Sequence, residues 1–363
     1  MVIIVLCTLI IFGLLWLGII IGLLLTIYFG ITSTKFLKTH PLSKFIFNLI
    51  ALILVTILLR MLVFEVYKIP SKSMEDALIV GDNIIVSKLS YGPRLPMHPS
   101  EISWLNIFFK KRSASNKWPF KRLHGLTTIK NGDVVIFNDR ENSSILVKRC
   151  LGTPGDVFQI KNDLVIINGY NHDARTVKNS YRIWFKSDQN HGKEVEKLNI
   201  KRRVSKANDN KSYDLELTST ILNRLKQSST IDSIRIIDHG NSQSLWDERL
   251  GWSSKSLGPY TIPAKGSTIP LTLANFIRYG KLINDFEEIN IQYKDGKFYH
   301  LNKIITKYTF KHDYYMMLGD NRGHSFDSRY WGVIPEARII GKAVAILYSK
   351  DDIVDWGRIL KFL

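Results

Sequence analysis

The N-terminal end of the chain is an apolar run that restricts the fold more than any other feature. The first 30 residues carry no charged side chain, and residues 2–29 are almost entirely Ile, Leu, Val and aromatic. Such a run is longer than the ~20 residues that a helix needs to cross the hydrocarbon core. A cleavable signal peptide is a poorer fit, because the run is too long and lacks both a basic leading segment and a small-residue cleavage pattern. We predict a transmembrane helix over residues 1–30.

A second apolar run, residues 45–65, predicts a second transmembrane helix. The loop between the runs, residues 31–44, holds lysines and no acidic residue, which by the positive-inside rule indicates the cytoplasmic side. Everything after the second run then lies on the outer side of the membrane. Arg60 falls near the outer end of that run, where its long side chain can reach water, so we interpret it as an anchor.

The composition favours lipid over nucleic acid as the partner of the basic surface. All of the net charge of +18 belongs to the chain beyond the first apolar run. Such a charge suits nucleic acid or anionic lipid, and the predicted spans favour the lipid bilayer. The two cysteines, Cys7 and Cys150, are poorly placed for a disulfide and give no paired metal-ligand spacing, so no metal site is expected.

From Tyr67 onward the pattern changes to short β-like runs separated by Gly, Pro, Asn and Asp. These runs predict a mainly β core formed by residues 66–160 and 307–350. The predicted strands are residues 83–89, 134–137, 144–150, 157–160 and 164–168. Turn sequences such as Asn-Gly-Asp and Pro-Gly-Asp separate them.

Three further segments lie outside that core. Residues 161–306 have mixed charge and predict a large inserted, β-rich subdomain with short helices near 218–226 and 272–279. The tail, residues 351–363, spaces its apolar residues as a short amphipathic helix does. Residues 100–121 combine an aromatic cluster with basic residues, a pattern that fits a membrane-interface segment and a buried strand equally well.

Two serines one residue apart, Ser71 and Ser73, stand directly after the second apolar run in the stretch YKIPSKSMEDAL. If this stretch is extended, the two side chains share one face and Lys72 points away. Pro70 keeps the preceding residue extended and favours an edge or a loop entry. Pro-Ser-x-Ser is also common in linkers, so a nucleophile here requires a base elsewhere in the chain.

Histidine is a poor candidate for that base. Nine histidines are present, but none accompanies a G-x-S-x-G elbow or an H-E-x-x-H zinc pattern. His324, Ser325 and Asp327 stand too close in sequence to form triad geometry with one another. A lysine is the other route, because burial lowers its pKa from about 10.4 by up to ~3–5 units. Lys148 and Lys88 both lie in apolar strands, and the pattern does not choose between them.

Three stretches follow the two apolar runs in a fixed order: IPSKSM, LVKRCLGTPGD and GDNRGHSFDSRYWG. Together they resemble the signature boxes of bacterial type I signal peptidase. The resemblance covers residues 64–89, 132–156 and 315–345, while residues 100–121 and the insert match only in kind. It implies two transmembrane helices followed by a mainly β extracytoplasmic domain, a fold shared with self-cleaving repressors, with an enlarged β-rich second subdomain.

The resemblance assigns roles to individual residues. Ser73 matches the nucleophile and Lys148 the general base, which the resemblance implies is buried and neutral. Ser71 matches the hydroxyl of an oxyanion hole completed by the Ser73 backbone N–H, and Ser325 matches the serine that orients the lysine amine. Residues that match the pockets for small substrate side chains are Ile69, Pro70, Met74, Leu78, Leu146 and Val147.

Further positions match a support for the site or depart from the family pattern. Asp327 and Arg329 match an ion pair with a structural role. The family usually has Met-x-Pro-Thr-Leu where this chain reads Met-Glu-Asp-Ala-Leu from Met74, and Gly-His follows Arg322 where Asp-Asn is commoner. These departures affect the expected pocket shape and loop rigidity, not the reaction type.

The implied function is a membrane-bound serine endopeptidase that removes signal peptides from secreted preproteins with small residues at the cleavage site. It would act at the outer face of the bacterial cytoplasmic membrane, near the export machinery, by acyl transfer that needs no metal or organic cofactor. The alternative is a catalytically idle membrane-anchored scaffold that binds exported chains. A self-cleaving repressor is excluded by the predicted spans, and labelling of Ser73 by a penem-type inhibitor would exclude the scaffold.

Overall fold

The structure is a computed structural model of the chain. It describes residues 15–34, 39–75, 77–101, 118–139, 144–161, 164–172, 178–186, 205–206, 212–237, 246–350 and 355–363. Residues 102–117 lie outside these ranges, and so does most of the aromatic segment for which the sequence leaves two interpretations.

The described secondary structure is mainly β. Its α-helices are α1 (Leu15–Thr32), α2 (Pro41–Leu62), α3 (Ser219–Lys226), α4 (Leu273–Phe286) and α5 (Ser328–Trp331). Its strands are β1 (Phe64–Lys68), β2 (Asp82–Ser87), β3 (Val134–Asn138), β4 (Ile145–Gly152), β5 (Val157–Lys161), β6 (Leu164–Ile167), β7 (Tyr170–Asn171), β8 (Lys178–Phe185), β9 (Ser205–Lys206), β10 (Ser212–Thr218), β11 (Ile231–Ile236), β12 (Leu257–Thr261), β13 (Thr268–Pro270), β14 (Gln292–Lys294), β15 (Lys297–His300), β16 (Lys303–Ile304), β17 (Lys307–Thr309), β18 (Tyr314–Leu318), β19 (Ile334–Pro335), β20 (Ile339–Ser349) and β21 (Lys361–Phe362).

Helix α2 is the one helix in the described ranges that is long and apolar enough to cross a membrane. In the helix before it, α1, the apolar stretch counts as Leu17–Thr32 and is shorter than a span requires, so the structure gives one candidate span where the sequence predicts two. Helix α2 begins earlier than predicted, with Pro41 at its first turn, because proline is well suited to the position where no N–H partner is needed. It ends at Leu62, and β1 begins at Phe64.

The largest sheet is antiparallel and carries the candidate site. Its order is β1-β2-β20-β3-β4-β18-β19, and β21 pairs with β20. Strand β3 is buried on both faces: Val134 and Ile136 pack in one hydrophobic cluster, and Val135 and Phe137 in another. This double burial fixes the register of β4, because a slip by one residue would exchange the two faces.

A four-stranded antiparallel sheet, β11-β8-β10-β9, lies in the predicted insert and is called the insert sheet here. One of its faces is apolar and packs against α3, with Leu215 and Leu217 of β10 buried there. Helix α3 is capped by Thr218, whose hydroxyl accepts from the Ile221 N–H. Because side chains alternate along a strand, Glu216 of β10 lies on the opposite face.

A second four-stranded sheet, β12-β5-β6-β7, contains strands from both sides of the predicted boundary between core and insert, which the sequence places after residue 160. That position falls inside β5, and β12, from the predicted insert, pairs with β5 through Tyr260 and Phe158. The largest hydrophobic cluster joins this sheet to α4 and to Met316 of β18. The first part of the predicted insert is therefore continuous with the core.

The described C-terminal tail is not the amphipathic helix that its sequence predicts. Residues 356–358 form a single 3-10 turn, and Lys361–Phe362 pairs with β20 at Ala345 and Ile346. Strand β3 pairs with β20 only as far as Lys342, so beyond that residue the same side of β20 gives the tail hydrogen bonds that a short isolated helix cannot match.

Candidate active site

Ser71 and Ser73 lie where the chain leaves the large sheet. The Ile69 N–H donates to the Asp82 carbonyl at 2.8 Å, and Pro70 has no N–H to continue the ladder. Ser71 is extended, but Lys72–Met74 form a 3-10 turn. The expected extended geometry is therefore wrong beyond Ser71. The turn, called the serine turn here (residues 71–74), still brings the hydroxyl oxygens of Ser71 and Ser73 within 3.3 Å of each other.

Lys148 meets Ser73 from strand β4. Its Nζ donates to Ser73 Oγ at 2.6 Å, and both residues are buried, with 4% and 7% of their surfaces exposed. The register that pairs Lys148 with Val135 of β3 holds the stem of the lysine in the sheet. The structure thus brings together the two residues that the resemblance assigns as nucleophile and base.

The other candidate lysine, Lys88, binds groups other than the serine turn. Its Nζ forms an ion pair with Glu65 at 2.9 Å and donates to the Arg60 carbonyl at 2.6 Å. Burial lowers the pKa of Lys88, and the ion pair with Glu65 opposes this effect. In this structure Lys88 has no contact with the serine turn that would let it serve as the base.

The environment of Lys148 favours the neutral amine. Burial lowers the pKa of Lys148 to about 8, an effect that Arg329 strengthens and that Asp327 and Asp320 oppose. At pH 7 a group with that pKa is neutral in about one molecule in ten, compared with about one in a few thousand for an ordinary lysine. The amine can therefore accept a proton at moderate pH.

Ser325, Asp327 and Arg329 lie beside the pair. The Ser325 hydroxyl is buried and has no hydrogen-bond partner of normal geometry, so the expected bond to Lys148 is not formed in this structure. It lies close to Asp327 and helps to lower the pKa of that carboxyl. Arg329 Nε and Asp327 Oδ1 are 2.8 Å apart in a buried ion pair. Although burial opposes it, this pair keeps the pKa of Asp327 below its usual range.

Residues 319–325, called the catalytic loop here, hold the serine turn in place. The Asn321 N–H donates to the Ser73 carbonyl at 3.1 Å. A Cβ on Gly319 would lie 2.2 Å from Ser325 Oγ and 2.5 Å from the Ser73 carbonyl oxygen, so only glycine allows this approach. The sequence shows Gly319-Asp320-Asn321 as a turn and gives no sign that it packs on Ser73.

The residues expected to form substrate pockets differ in exposure. Ile69, Met74 and Leu78 are at most 2% exposed and pack in one core cluster. Pro70 is exposed, and Leu146 and Val147 are half-buried. Val147 packs against the cluster of Ile69, whereas Leu146 packs against the cluster on the other face of β3. The three buried side chains are therefore part of the core packing next to the site.

The described residues contain no group of three His, Cys, Asp or Glu side chains placed to hold a metal ion. The polar groups around Ser73 are hydroxyls, a lysine and a buried ion pair. These are groups for proton transfer and charge stabilisation in a peptidase.

Comparison with known proteins agrees with this chemistry. The chain belongs to the family described as signal peptidase, peptidase S26, which it matches over residues 42–216 and 273–348. Within that family it is similar to proteins named Signal peptidase I. That of Buchnera aphidicola subsp. Baizongia pistaciae (strain Bp) is 26% identical over 322 residues, which cover 88% of this chain and 81% of the relative.

Two further relatives extend the similarity to other bacteria. Signal peptidase I of Haemophilus influenzae (strain ATCC 51907 / DSM 11121 / KW20 / Rd) is 25% identical over 86% of this chain and 72% of the relative. That of Aquifex aeolicus (strain VF5) is 23% identical over 85% of both chains. The similarity therefore extends through the insert and is not confined to the signature stretches.

Proposed function

We propose that this signal peptidase cleaves signal peptides from exported preproteins with Ser73 as nucleophile and Lys148 as general base. The observation that carries the proposal is the buried 2.6 Å contact between Lys148 Nζ and Ser73 Oγ. Neutral Lys148 accepts the hydroxyl proton while Ser73 attacks the peptide carbonyl, and the protonated amine then supplies a proton to the leaving amine. Water activated by the same lysine hydrolyses the acyl-enzyme.

The oxyanion that forms during attack needs donors beside Ser73. The Ser71 hydroxyl, 3.3 Å from Ser73 Oγ, and the Ser73 backbone N–H are the groups we assign to this role. Ser71 is exposed while Ser73 is buried, so a substrate that reaches Ser73 passes next to the Ser71 hydroxyl. Donors fixed before the reaction stabilise the developing charge without reorganisation.

The proposed substrate class rests on the family and on the burial of the expected pocket residues. The buried Ile69, Met74 and Leu78 leave little depth under the serine turn, which suits small substrate side chains next to the cleaved bond. Pro70 and Val147 are the expected pocket residues with surface available for direct contact. We assign no cofactor to this reaction, because the pair transfers protons without one.

We further propose that the protein crosses the bacterial cytoplasmic membrane twice, with the active site on the outer face and the export machinery nearby. Helix α2 is the candidate span that leads directly into β1. The apolar run before it would supply the first crossing. Reporter fusions after residues 38 and 66 test this topology: cytoplasmic activity at the first and external activity at the second are expected.

Cleavage of a purified preprotein with an Ala-x-Ala site by the detergent-solubilised chain tests the catalytic pair. The parent is expected to cleave at that site, whereas Ser73→Ala and Lys148→Met lose activity by more than about a thousandfold. Lys88→Met is the matched control: Lys88 directly follows the apolar strand β2 and pairs with Glu65, so this variant is expected to retain activity. Activity in Lys148→Met would contradict the assignment of the base. An inactive parent would favour the scaffold.

A further inference from the structure

The insert sheet contacts the catalytic loop through one carboxylate. Glu216 of β10 binds two residues of that loop: its Oε1 lies 2.9 Å from His324 Nε2, and its Oε2 accepts from Asn321 Nδ2 at 3.2 Å. Asn321 is the residue whose backbone N–H donates to the Ser73 carbonyl at 3.1 Å. A chain of direct contacts therefore runs from the insert sheet to the nucleophile.

Close main-chain contacts also join the catalytic loop to the insert sheet. A Cβ on Gly323 would lie 2.0 Å from Ser180 Oγ of β8, so the main chain of the loop lies directly against the Ser180 side chain of the insert sheet. The Lys178 N–H donates to the Asp320 carbonyl at 3.2 Å, and the His324 N–H to the Asn321 carbonyl at 3.1 Å. The catalytic loop is thus held between the insert sheet on one side and the serine turn on the other.

The orientation of Glu216 is set by the fold of the insert sheet. Its neighbours Leu215 and Leu217 are at most 2% exposed and point into the cluster that covers α3. Strand alternation then places Glu216 on the face that meets the loop. Moving Glu216 away from the loop would expose both leucines. The burial of the leucines therefore holds the carboxylate in position against the loop.

We propose that Glu216 is a positioning residue for the reaction, which holds Ser73 in register with Lys148 by fixing Asn321 and His324 of the catalytic loop. This assigns a role to the insert, and it rests on the proposed function of Ser73 and Lys148. Glu216 touches neither of them. It acts through the loop, and its removal leaves the nucleophile and the base present but less well aligned, which lowers kcat more than it changes KM.

The His324 branch depends on pH. Several charged groups face this pair: Glu216 from β10, Lys178 from β8, and Lys72 and Glu75 from the serine turn and its end. The hydrogen bond that His324 donates to Glu216 is the largest influence on both groups: it raises the pKa of His324 and lowers the pKa of Glu216. The ion pair is therefore complete between these two pKa values and weakens as pH rises through that of His324, which then loses its charge.

The test compares cleavage of the Ala-x-Ala preprotein by the full chain in detergent and by Glu216→Gln, Glu216→Ala and Asp214→Asn. Asp214 is the matched control, because it lies on the same strand and pairs with Arg182 at 2.7 Å within the insert sheet. We expect Asp214→Asn to cleave as the parent does and Glu216→Ala to lose about tenfold in kcat at neutral pH. The melting temperatures of all three variants identify any loss of folding. If Glu216→Ala fails to fold, the isosteric Glu216→Gln substitution still provides the test.

The pH dependence separates positioning from a general structural effect. The ratio of parent to Glu216→Gln rates is expected to be about tenfold near about pH 6, where His324 is charged, and to fall below about threefold near about pH 9, where the opposite charge is lost and only the hydrogen bond to the carboxylate remains. The titration of Lys148 is common to both proteins and cancels in the ratio. A ratio that is constant with pH, or Glu216 variants that match Asp214→Asn throughout, would overturn this inference alone. Cleavage by Ser73→Ala would overturn the proposed function and the inference together.

Discussion

The Asn321 backbone N–H donates to the carbonyl oxygen of Ser73 at 3.1 Å. Ser73 is therefore held at two points, its hydroxyl by Lys148 and its carbonyl by a loop nearly 250 residues further along the chain. A hydroxyl on an exposed turn would sample many rotamers. Fixing the main chain of the turn removes much of that freedom before substrate arrives, which would raise the effective concentration of the proposed nucleophile.

The rate is expected to rise with pH through the titration of Lys148. Burial lowers the pKa of Lys148 to about 8, and only the neutral amine can act as base, so kcat/KM increases as pH rises through that value and then levels. Initial rates of preprotein cleavage between about pH 6 and about pH 10 measure this profile. A rate that is already at its plateau at neutral pH, or that falls as pH approaches 8, would contradict a lysine base.

Gly319→Ala is expected to inactivate the enzyme without unfolding it. The added methyl would lie 2.5 Å from the Ser73 carbonyl oxygen, so the serine turn must shift away from the loop and from Lys148. We expect a loss of at least about a hundredfold in kcat, since small displacements of reacting groups cost that much. Gly357→Ala is the control, because its nearest contact would be an ordinary 3.4 Å to Asp355 Oδ1. Equal activity in both variants would show that the close approach at Gly319 is unimportant.

Asp327→Asn is expected to destabilise the fold. Asp327 and Arg329 are both buried, and loss of the carboxylate leaves the guanidinium without its counter-charge, at a cost of about 3–5 kcal/mol. The lowered pKa of Asp327 means that this stabilisation is present above the pKa of the unfolded carboxyl and is lost as pH falls through the lower folded value. Thermal unfolding in detergent at neutral and acidic pH measures both effects.

The exposed pair between Asp247 and Arg249 serves as the comparison for that experiment. Its side chains are 27% and 58% exposed, and Arg249→Ala is expected to leave the melting temperature nearly unchanged. If the buried and exposed variants melt at the same temperature, the buried pair does not stabilise the site as argued.

Arg358→Ala is expected to loosen the segment that follows the serine turn. Arg358 Nη2 lies 2.5 Å from Asp82 Oδ2 and donates to the Ala77 carbonyl at 3.2 Å, and Asp82 is fully buried. Removing the guanidinium leaves a buried carboxylate with fewer partners and costs about 1–3 kcal/mol. A double-mutant cycle of Asp82→Asn and Arg358→Ala, followed by thermal unfolding, should show a coupling above about 1 kcal/mol; additive effects would disprove the contact.

The sequence alone identified the strands of the core better than it identified their connections. Apolar runs and hydrophobic alternation gave β2 to β6 within a few residues, because each of these strands buries at least one face. It could not select Lys148 over Lys88, since both lie in apolar strands. The choice depends on which lysine meets a carboxylate, and Glu65 provides that partner for Lys88 alone.

Long-range contacts explain where the predictions from pattern were wrong. The stretch at Ser71 looks extended, but the Asn321 contact and the missing N–H of Pro70 convert it into a 3-10 turn. The tail has helical spacing at Trp356 and Ile359, but it forms β21, which pairs with β20. In both cases the deciding partner lies far away in sequence, where local periodicity holds no information.

The position of the insert in the large sheet has a consequence for the evolution of such chains. Strand β4 leaves the sheet at Gly152 and β18 returns at Tyr314 directly beside it, as its hydrogen-bonded neighbour. The two ends of the intervening segment are therefore fixed at adjacent points whatever its length. The entropy lost in closing such a loop rises only with the logarithm of its length, by about 0.6 kcal/mol for each doubling. Residues can thus be gained or lost there over generations at little thermodynamic cost, while the strand that carries Lys148 keeps the same neighbours.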